Sequence, residues 1–221
     1  MAQSREVVLN GLTEELAGFV DLTRSLTDDQ WQMPSRCAGW TVADVCAHVA
    51  GSFADIAAGR LAELASADAP DRHAAERQGR TQLELADELE QGAKVAAEIG
   101  AGFDDEAWVG SPPVDIPGTL GEAVEGMWYD AYVHGDDVRT AIGAPSDRGP
   151  GLQAAVSHLS DLLSHNNWEP ATLAFDGMPA FVIGDGQGRR ITGDALPFVL
   201  VATGREDPAV IGLDSSVNVY G

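Results

Sequence analysis

Apolar residues recur every three or four positions through the first two thirds of the chain, which is the spacing of one face of an α-helix. The second and fourth predicted helices begin with Thr41 and Thr119, and an acidic residue follows each threonine three positions later, as in a helix-capping box. Helices separated by loops of moderate length are typical of a four-helix bundle. The pattern predicts four helices, over residues 4–26, 41–66, 81–100 and 119–143.

The connections between these helices carry loop signals. Residues 67–79 are charged and contain proline, so we expect an exposed loop in which His73 is solvated. Residues 27–40 contain Trp31 and Trp40, which we expect to close the end of the bundle rather than to bind a ligand.

The pattern changes after a linker that is rich in glycine and proline, at residues 144–151. We expect residues 151–221 to form a small α+β domain, separate from a helical domain at residues 1–145. The fold class is therefore mainly α, with a four-helix bundle followed by this α+β domain. A turn at Asp176-Gly177 predicts a hairpin between the first two strands, and residues 184–188 suggest a hairpin turn rather than a nucleotide-binding loop. The predicted elements are a helix from Leu152, strands at 172–175, 180–184 and 189–192, a helix at 194–203 and a last strand at 217–220.

Composition excludes several partners. The chain has 221 residues, 44% of them hydrophobic, and a formal net charge of −22. Such a charge repels nucleic-acid phosphates and anionic lipid surfaces, so we expect no nucleic-acid or membrane partner. No stretch has the length and apolarity of a membrane span, and the first residues lack a secretion signal, so we expect a cytoplasmic protein.

The two cysteines, Cys37 and Cys46, have a spacing that fits no common zinc motif. In a reducing compartment both are expected to be free thiols. Cys46 lies among apolar residues of a predicted helix, so we expect it to be a small core residue.

The fourth predicted helix carries the most distinctive chemistry. Asp130 and His134 lie one turn apart on the side where its apolar residues lie. A carboxylate and an imidazole are costly to bury unless they are paired or bind an ion, and a metal would satisfy both. Two simpler interpretations remain open: an intrahelical hydrogen-bonded pair, or two side chains at the edge of the face in water. Asp137, one turn further, is a fallback oxygen ligand, although a solvated or salt-bridged aspartate is the simpler interpretation.

His48 lies beside the apolar side of the second predicted helix. Alone it suggests a hydrogen-bonded core histidine. With Asp130 and His134 it suggests a metal centre, because ligands from facing helices of a bundle can converge on one ion. Two histidines and one carboxylate leave a coordination position open, as catalytic sites do. Zinc fits this set, and nickel, iron and manganese are compatible with it.

Two segments extend this interpretation: GWTVADVCAHVAG at residues 39–51 and WYDAYVHGDDVRTAIG at residues 128–143. Together they resemble the DinB-like superfamily and, more narrowly, the mycothiol-dependent maleylpyruvate isomerase family of actinobacteria. The segment TGDALPFVLVATGR at residues 192–205 resembles the C-terminal α+β domain of that family.

The resemblance implies that His48 and His134 are metal ligands and that Asp130 stands where the family has a glutamate. It implies that Arg205 lies near the active site, where it holds an anionic group of the substrate or of mycothiol. The implied activity is a metal-dependent isomerase or S-transferase that uses mycothiol as a thiol cosubstrate and acts on a small electrophile. The change from glutamate to aspartate leaves an alternative, a non-catalytic small-molecule-binding or regulatory protein. The sequence leaves the electrophile and the oligomeric state open.

Overall fold

The computed structural model describes residues 3–114 and 116–220. The chain divides into two compact units, one spanning Ser4–Ser146 and the other running from Asp147 onward. The prediction of a mainly helical chain with a small α+β part is confirmed. None of the described helices combines the length and the apolar surface that crossing a bilayer requires.

The first unit is a bundle of four long helices with shorter helices in the connections. The helix α3 packs against α6 and α8, and α1 packs against the same two helices, so the four helices close a ring around one core. The capping boxes at Thr41 and Thr119 form as the sequence predicts. The helices are α1 (Arg5–Ser25), α2 (Asp28–Trp31), α3 (Val42–Ala57), α4 (Leu61–Leu64), α5 (Ala69–Glu76), α6 (Gln82–Ala101), α7 (Asp105–Val109) and α8 (Leu120–Ala141).

Three predictions for this unit are wrong. The helix predicted over residues 41–66 ends at Ala57, because Gly59 adopts a left-handed conformation (φ 72°) that breaks the helix. Residues 67–79 are not an exposed loop, since they contain α5 with a proline in its first turn, where proline favours a helix start. His73, predicted to be solvated, is 0% exposed, because α5 packs on α3 and buries it.

Alanine substitutions at two glycines of α1 are expected to change the stability of the protein in opposite directions. A Cβ at Gly11 would lie 2.1 Å from the buried ring of Trp128, whereas a Cβ at Gly18 would have no described neighbour within 4 Å apart from the adjacent backbone of its own helix. We expect Gly11→Ala to destabilise the protein by about 1–3 kcal/mol through overpacking. Gly18→Ala is expected to stabilise it by about 0.5–1 kcal/mol, because alanine has a higher helix propensity than glycine at an exposed helix position. Chemical denaturation of both variants checks this, and a shift of the same sign in both would contradict it.

The second unit contains the helix α9 (Pro150–His165), the strands β1 (Ala171–Phe175), β2 (Phe181–Ile183) and β3 (Arg189–Gly193), and the helix α10 (Ala195–Ala202). Its sheet has the order β2-β1-β3, in which β1 pairs antiparallel with β2 and parallel with β3. The predicted hairpin around Asp176-Gly177 is confirmed.

Two predictions for this second unit are wrong. Residues 184–188 are not a hairpin turn, because β2 and β3 lie on opposite edges of β1 and do not pair with each other. Residues 217–220 do not form a strand. The short 3-10 helix Ser215–Val217 ends at the first residue of that segment. The side chain of Asp214 caps this helix by accepting a hydrogen bond from the Ser216 backbone N–H.

Candidate metal centre

The bundle brings the three predicted ligands together, because α3 and α8 are neighbours. His48 projects from α3, and Asp130 and His134 project from successive turns of α8. The Nε2 atom of His48 lies 3.6 Å from Asp130 Oδ2, and the Nε2 atom of His134 lies 3.5 Å from Asp130 Oδ1. One ligand atom from each of the three residues lies within 4.8 Å of the others.

These distances fit a metal ion better than direct hydrogen bonds. Separations of 3.5 and 3.6 Å between nitrogen and oxygen exceed the usual hydrogen-bond length. In a tetrahedral zinc site with bonds of about 2.0–2.1 Å, two ligand atoms are about 3.3 Å apart. Each histidine Nε2 atom is thus about as far from an oxygen of Asp130 as two ligand atoms of one zinc ion are from each other, and the donor set suits that ion.

The side of His134 that faces away from this cluster is fixed by Asp137. The Nδ1 atom of His134 lies 3.0 Å from Asp137 Oδ2, and the guanidinium of Arg36 donates to Asp137 Oδ1 at 3.1 Å. Arg36 also donates to Asp136 Oδ2 at 2.6 Å. Asp137 is fully buried and paired with Arg36, so its carboxylate is held in place and fixes the orientation of the His134 ring. A histidine ligand commonly donates its second N–H to a carboxylate in this way.

The acidic surroundings hold a proton on His134 in the metal-free chain. Burial disfavours the charged ring, but the charge of Asp130 and the hydrogen bonds of Asp137 and Cys37 outweigh it. Together they raise the pKa of His134 to about 10. A metal ion that binds at Nε2 must therefore displace this proton at neutral pH.

A second set of potential ligands, Cys37, His134 and Asp137, shares one histidine with the first. The thiol of Cys37 donates to Asp137 Oδ2 at 3.2 Å, and its sulfur lies 3.9 Å from His134 Nδ1. A cation there would compete with the Arg36 guanidinium, which already holds Asp137, and the two positive charges would repel each other. The geometry therefore favours the set of His48, Asp130 and His134.

The far side of His48 meets another histidine. His48 Nδ1 lies 3.3 Å from Nδ1 of His73, and His73 Nε2 lies 2.8 Å from Asp55 Oδ2. Asp55 is fully buried, and Arg60 and Arg72 both donate to it. Burial alone would raise the pKa of Asp55, but the hydrogen bonds of Arg72, His73 and Arg60 outweigh it and hold the pKa below its usual range. Burial also lowers the pKa of His73, which favours a neutral ring.

An aromatic side chain forms one wall of the cluster. The indole ring of Trp40 lies 5.5 Å from the ring of His48 and 6.5 Å from the ring of His134, measured between centroids. Its Nε1–H donates to Asp71 Oδ1 at 3.3 Å. Trp40 therefore covers one side of the two histidines, a contact that the sequence analysis did not predict.

The two cysteines are free thiols, as predicted, but they have different surroundings. Cys46 is buried, and burial raises the pKa of its thiol to about 12, so it is a core residue rather than a nucleophile. Cys37 lies beside Asp137 and His134 at the edge of the cluster.

The structure brings together His48, Asp130 and His134, the three ligands that the sequence predicts. It also places around them residues for which the sequence predicts no role in the site. His73 was missed because its segment has proline and charges and lacks a clear apolar period. Arg36 and Cys37 were missed because they lie in a connection, about 100 positions from their partners on α8. Arg205 belongs to the second unit, after the end of α10, and its role in substrate binding stays a prediction.

Comparisons with known proteins assign the helical bundle of the first unit to a known sequence family. The sequence family described as "Mycothiol maleylpyruvate isomerase N-terminal domain" matches residues 12–139. Two solved structures share the fold, the mycothiol-dependent maleylpyruvate isomerase and a variant of it with one histidine replaced by alanine. Each has a TM-score of 0.67 and 15% sequence identity, over 92% of this chain and 90% of the other. A search of curated proteins found no significant match.

Proposed function

Because the chain belongs to the family of the mycothiol maleylpyruvate isomerase N-terminal domain, we propose that it is a metal- and thiol-dependent isomerase of a small electrophile. The observation that carries the proposal is the convergence of His48, Asp130 and His134 at spacings that suit one divalent ion. Three protein ligands leave a coordination position open for an exogenous group. The proposed thiol is mycothiol, and the proposed substrate is a maleylpyruvate-like cis-enone acid.

Zinc is the proposed ion, since imidazole and carboxylate ligands in this number suit it. When bound, the ion lowers the pKa of a neighbouring thiol, so that the thiolate forms at neutral pH. His48 and His134 would hold the ion through Nε2, and the negative charge of Asp130 would balance part of its charge. Asp137 accepts the Nδ1–H of His134 and keeps that ring in place. Trp40 covers one side of the histidine pair.

The proposed reaction leaves no net change in the thiol. The thiolate sulfur of mycothiol forms a bond to one alkene carbon, and the alkene electron pair moves into the conjugated carbonyl. The former double bond rotates as a single bond. The electron pair then returns, the carbon–sulfur bond breaks, and the trans acid and the thiolate leave. We propose that Arg205 holds a carboxylate of the substrate or an anionic group of mycothiol.

The test is a reaction of zinc-loaded protein with mycothiol and maleylpyruvate, analysed by mass spectrometry and ultraviolet absorption. We expect a trans isomer of unchanged mass, and no conversion when mycothiol is omitted or when His48→Ala replaces the wild type. A product that retains the thiol would identify an S-transferase. Binding of zinc and mycothiol without turnover of any electrophile would support the alternative of a non-catalytic binding protein.

Substitutions of Asp130 test the carboxylate ligand. Asp130→Ala is expected to weaken zinc binding by about 10-fold or more, because it leaves two imidazoles of the three proposed ligands. Asp130→Glu should preserve or strengthen binding, since it supplies the carboxylate that the family resemblance implies. Calorimetric zinc titrations of the three proteins measure the effect. Equal affinities of wild type and Asp130→Ala would remove Asp130 from the site.

Proton release gives an independent test. With the pKa of His134 raised to about 10 in the metal-free chain, its ring is protonated at neutral pH and must lose that proton when the ion binds. We expect release of about one proton from His134 per zinc at pH 7.5, and an affinity that rises about tenfold per pH unit between pH 6.5 and 8. Calorimetry in buffers with different ionisation enthalpies counts the protons. An affinity independent of pH would contradict this assignment.

A further inference from the structure

The two histidines of the proposed centre are supported differently on their far sides. His134 Nδ1 faces a carboxylate oxygen of Asp137, whereas His48 Nδ1 faces Nδ1 of a second imidazole, that of His73, at 3.3 Å. Two ring nitrogens at this distance form a hydrogen bond only if one carries a hydrogen and the other a lone pair. The position of that hydrogen decides whether His48 Nε2 is free to bind a metal.

Asp55 determines the position of that hydrogen. Its carboxylate accepts hydrogen bonds from Arg60 and Arg72, so it remains ionised and can only accept from His73 Nε2, which lies 2.8 Å away. His73 Nε2 therefore carries the hydrogen, and the Nδ1 atom of a neutral His73 ring is an acceptor. His48 must then donate its Nδ1–H, and of its two neutral tautomers this contact selects the one whose Nε2 lone pair lies on the side of Asp130.

We propose that His73, held by Asp55, is a positioning residue that fixes the tautomer and orientation of His48 for metal binding. The inference deepens the proposed function, and its metal-binding part rests on that proposal. Asp55 thus supports His48 through one intervening imidazole, as Asp137 supports His134 directly. Outer partners of this kind typically contribute 10–100-fold to metal affinity.

The packing around His73 leaves its ring little freedom. His73 is fully buried between α5 and α3. Its ring lies against Gly51 of α3, where an added Cβ would come within 2.4 Å of His73 Cγ. The absence of a side chain at this helix position makes room for the ring one turn after His48. Gly51 therefore offers a way to displace His73 without changing its chemistry.

Two substitutions of His73 separate its hydrogen-bonding role from its packing role. In His73→Asn, the amide oxygen occupies nearly the position of the ring Nδ1 atom and can still accept the Nδ1–H of His48. In His73→Leu, a side chain of similar bulk offers no acceptor. Neither replacement is long enough to reproduce the bond from Nε2 to Asp55, so both lose that contact. The difference between the two variants isolates the acceptor that faces His48.

The experiment has two readouts, neither of which needs substrate or thiol. Long-range ¹H–¹⁵N spectra of the metal-free proteins report which nitrogen of His48 carries hydrogen, and competition with a chelator gives zinc affinity. We expect hydrogen on Nδ1 of His48 in the wild type and in His73→Asn, and loss of that preference in His73→Leu. Zinc affinity should fall roughly 10- to 100-fold in His73→Leu and less in His73→Asn.

Wild-type zinc affinity and an unchanged His48 tautomer in His73→Leu would overturn the inference, as would equal weakening in both variants. If the wild type binds no zinc, the proposed function fails, while the His48 tautomer still decides the inference. If His73→Leu does not fold by circular dichroism, Gly51→Ala takes its place. We then expect the displaced ring to weaken zinc binding and to mix the His48 tautomers, and an unchanged protein would overturn the inference.

Discussion

His134→Ala is expected to lower zinc affinity by more than about 100-fold, or about 2.7 kcal/mol. Loss of a residue that merely orients a ligand costs up to about 100-fold, so loss of a proposed imidazole ligand together with its orienting contact should cost more. The substitution also removes the ring that Asp137 holds in place. Competition with a chromophoric chelator measures the affinity, and isomerase activity should fall with zinc occupancy.

His165→Ala is the matched control for this loss. His165 is an exposed histidine in the last turn of α9, away from the residues of the proposed centre along the chain. Its replacement should leave zinc affinity unchanged. Similar losses in the two variants would indicate adventitious binding by histidines and would contradict the proposed centre.

Asp55→Ala is expected to destabilise the protein by about 3 kcal/mol or more, because it removes the negative partner from a buried ion-pair network. Arg60, Arg72 and His73 all donate to this one carboxylate, whose side chain is fully buried. Chemical denaturation at pH 7 measures the loss. Asp21→Ala, an exposed replacement on α1, is the control and should change stability by less than about 0.5 kcal/mol.

The difference in stability between the wild type and Asp55→Ala should depend on pH in a defined direction. The pKa of Asp55 is lower in the folded protein than in the unfolded chain, so its stabilisation is fully present above the unfolded value of about 3.9. It is lost as the pH falls through the folded pKa. The stability gap between wild type and Asp55→Ala should therefore narrow below about pH 4, and a gap that widens in acid would contradict the network.

Much of the bundle was predictable because its signals are local. Apolar spacing and the capping boxes at Thr41 and Thr119 placed the long helices, and helices of that length with moderate loops predicted a bundle. The candidate ligands were predictable for the same reason. His48, Asp130 and His134 lie beside apolar positions of helices, where polar groups need partners.

The residues that support these ligands were not predictable, because their burial depends on tertiary contacts. His73 is buried only because α5 packs on α3, and Asp55 because two arginines and His73 surround it. The sheet order β2-β1-β3 was missed for a similar reason, since pairing of β1 with β3 joins segments that a local turn signal does not connect. Local patterns identify elements, whereas long-range contacts select their partners.

Anomalous diffraction from crystals grown with one equivalent of zinc would locate the ion and identify its ligands. We expect one strong peak within bonding distance, about 2.0–2.2 Å, of His48 Nε2, His134 Nε2 and a carboxylate oxygen of Asp130. A peak at the thiol of Cys37, Nδ1 of His134 and Asp137, or no peak at either set of ligands, would contradict it.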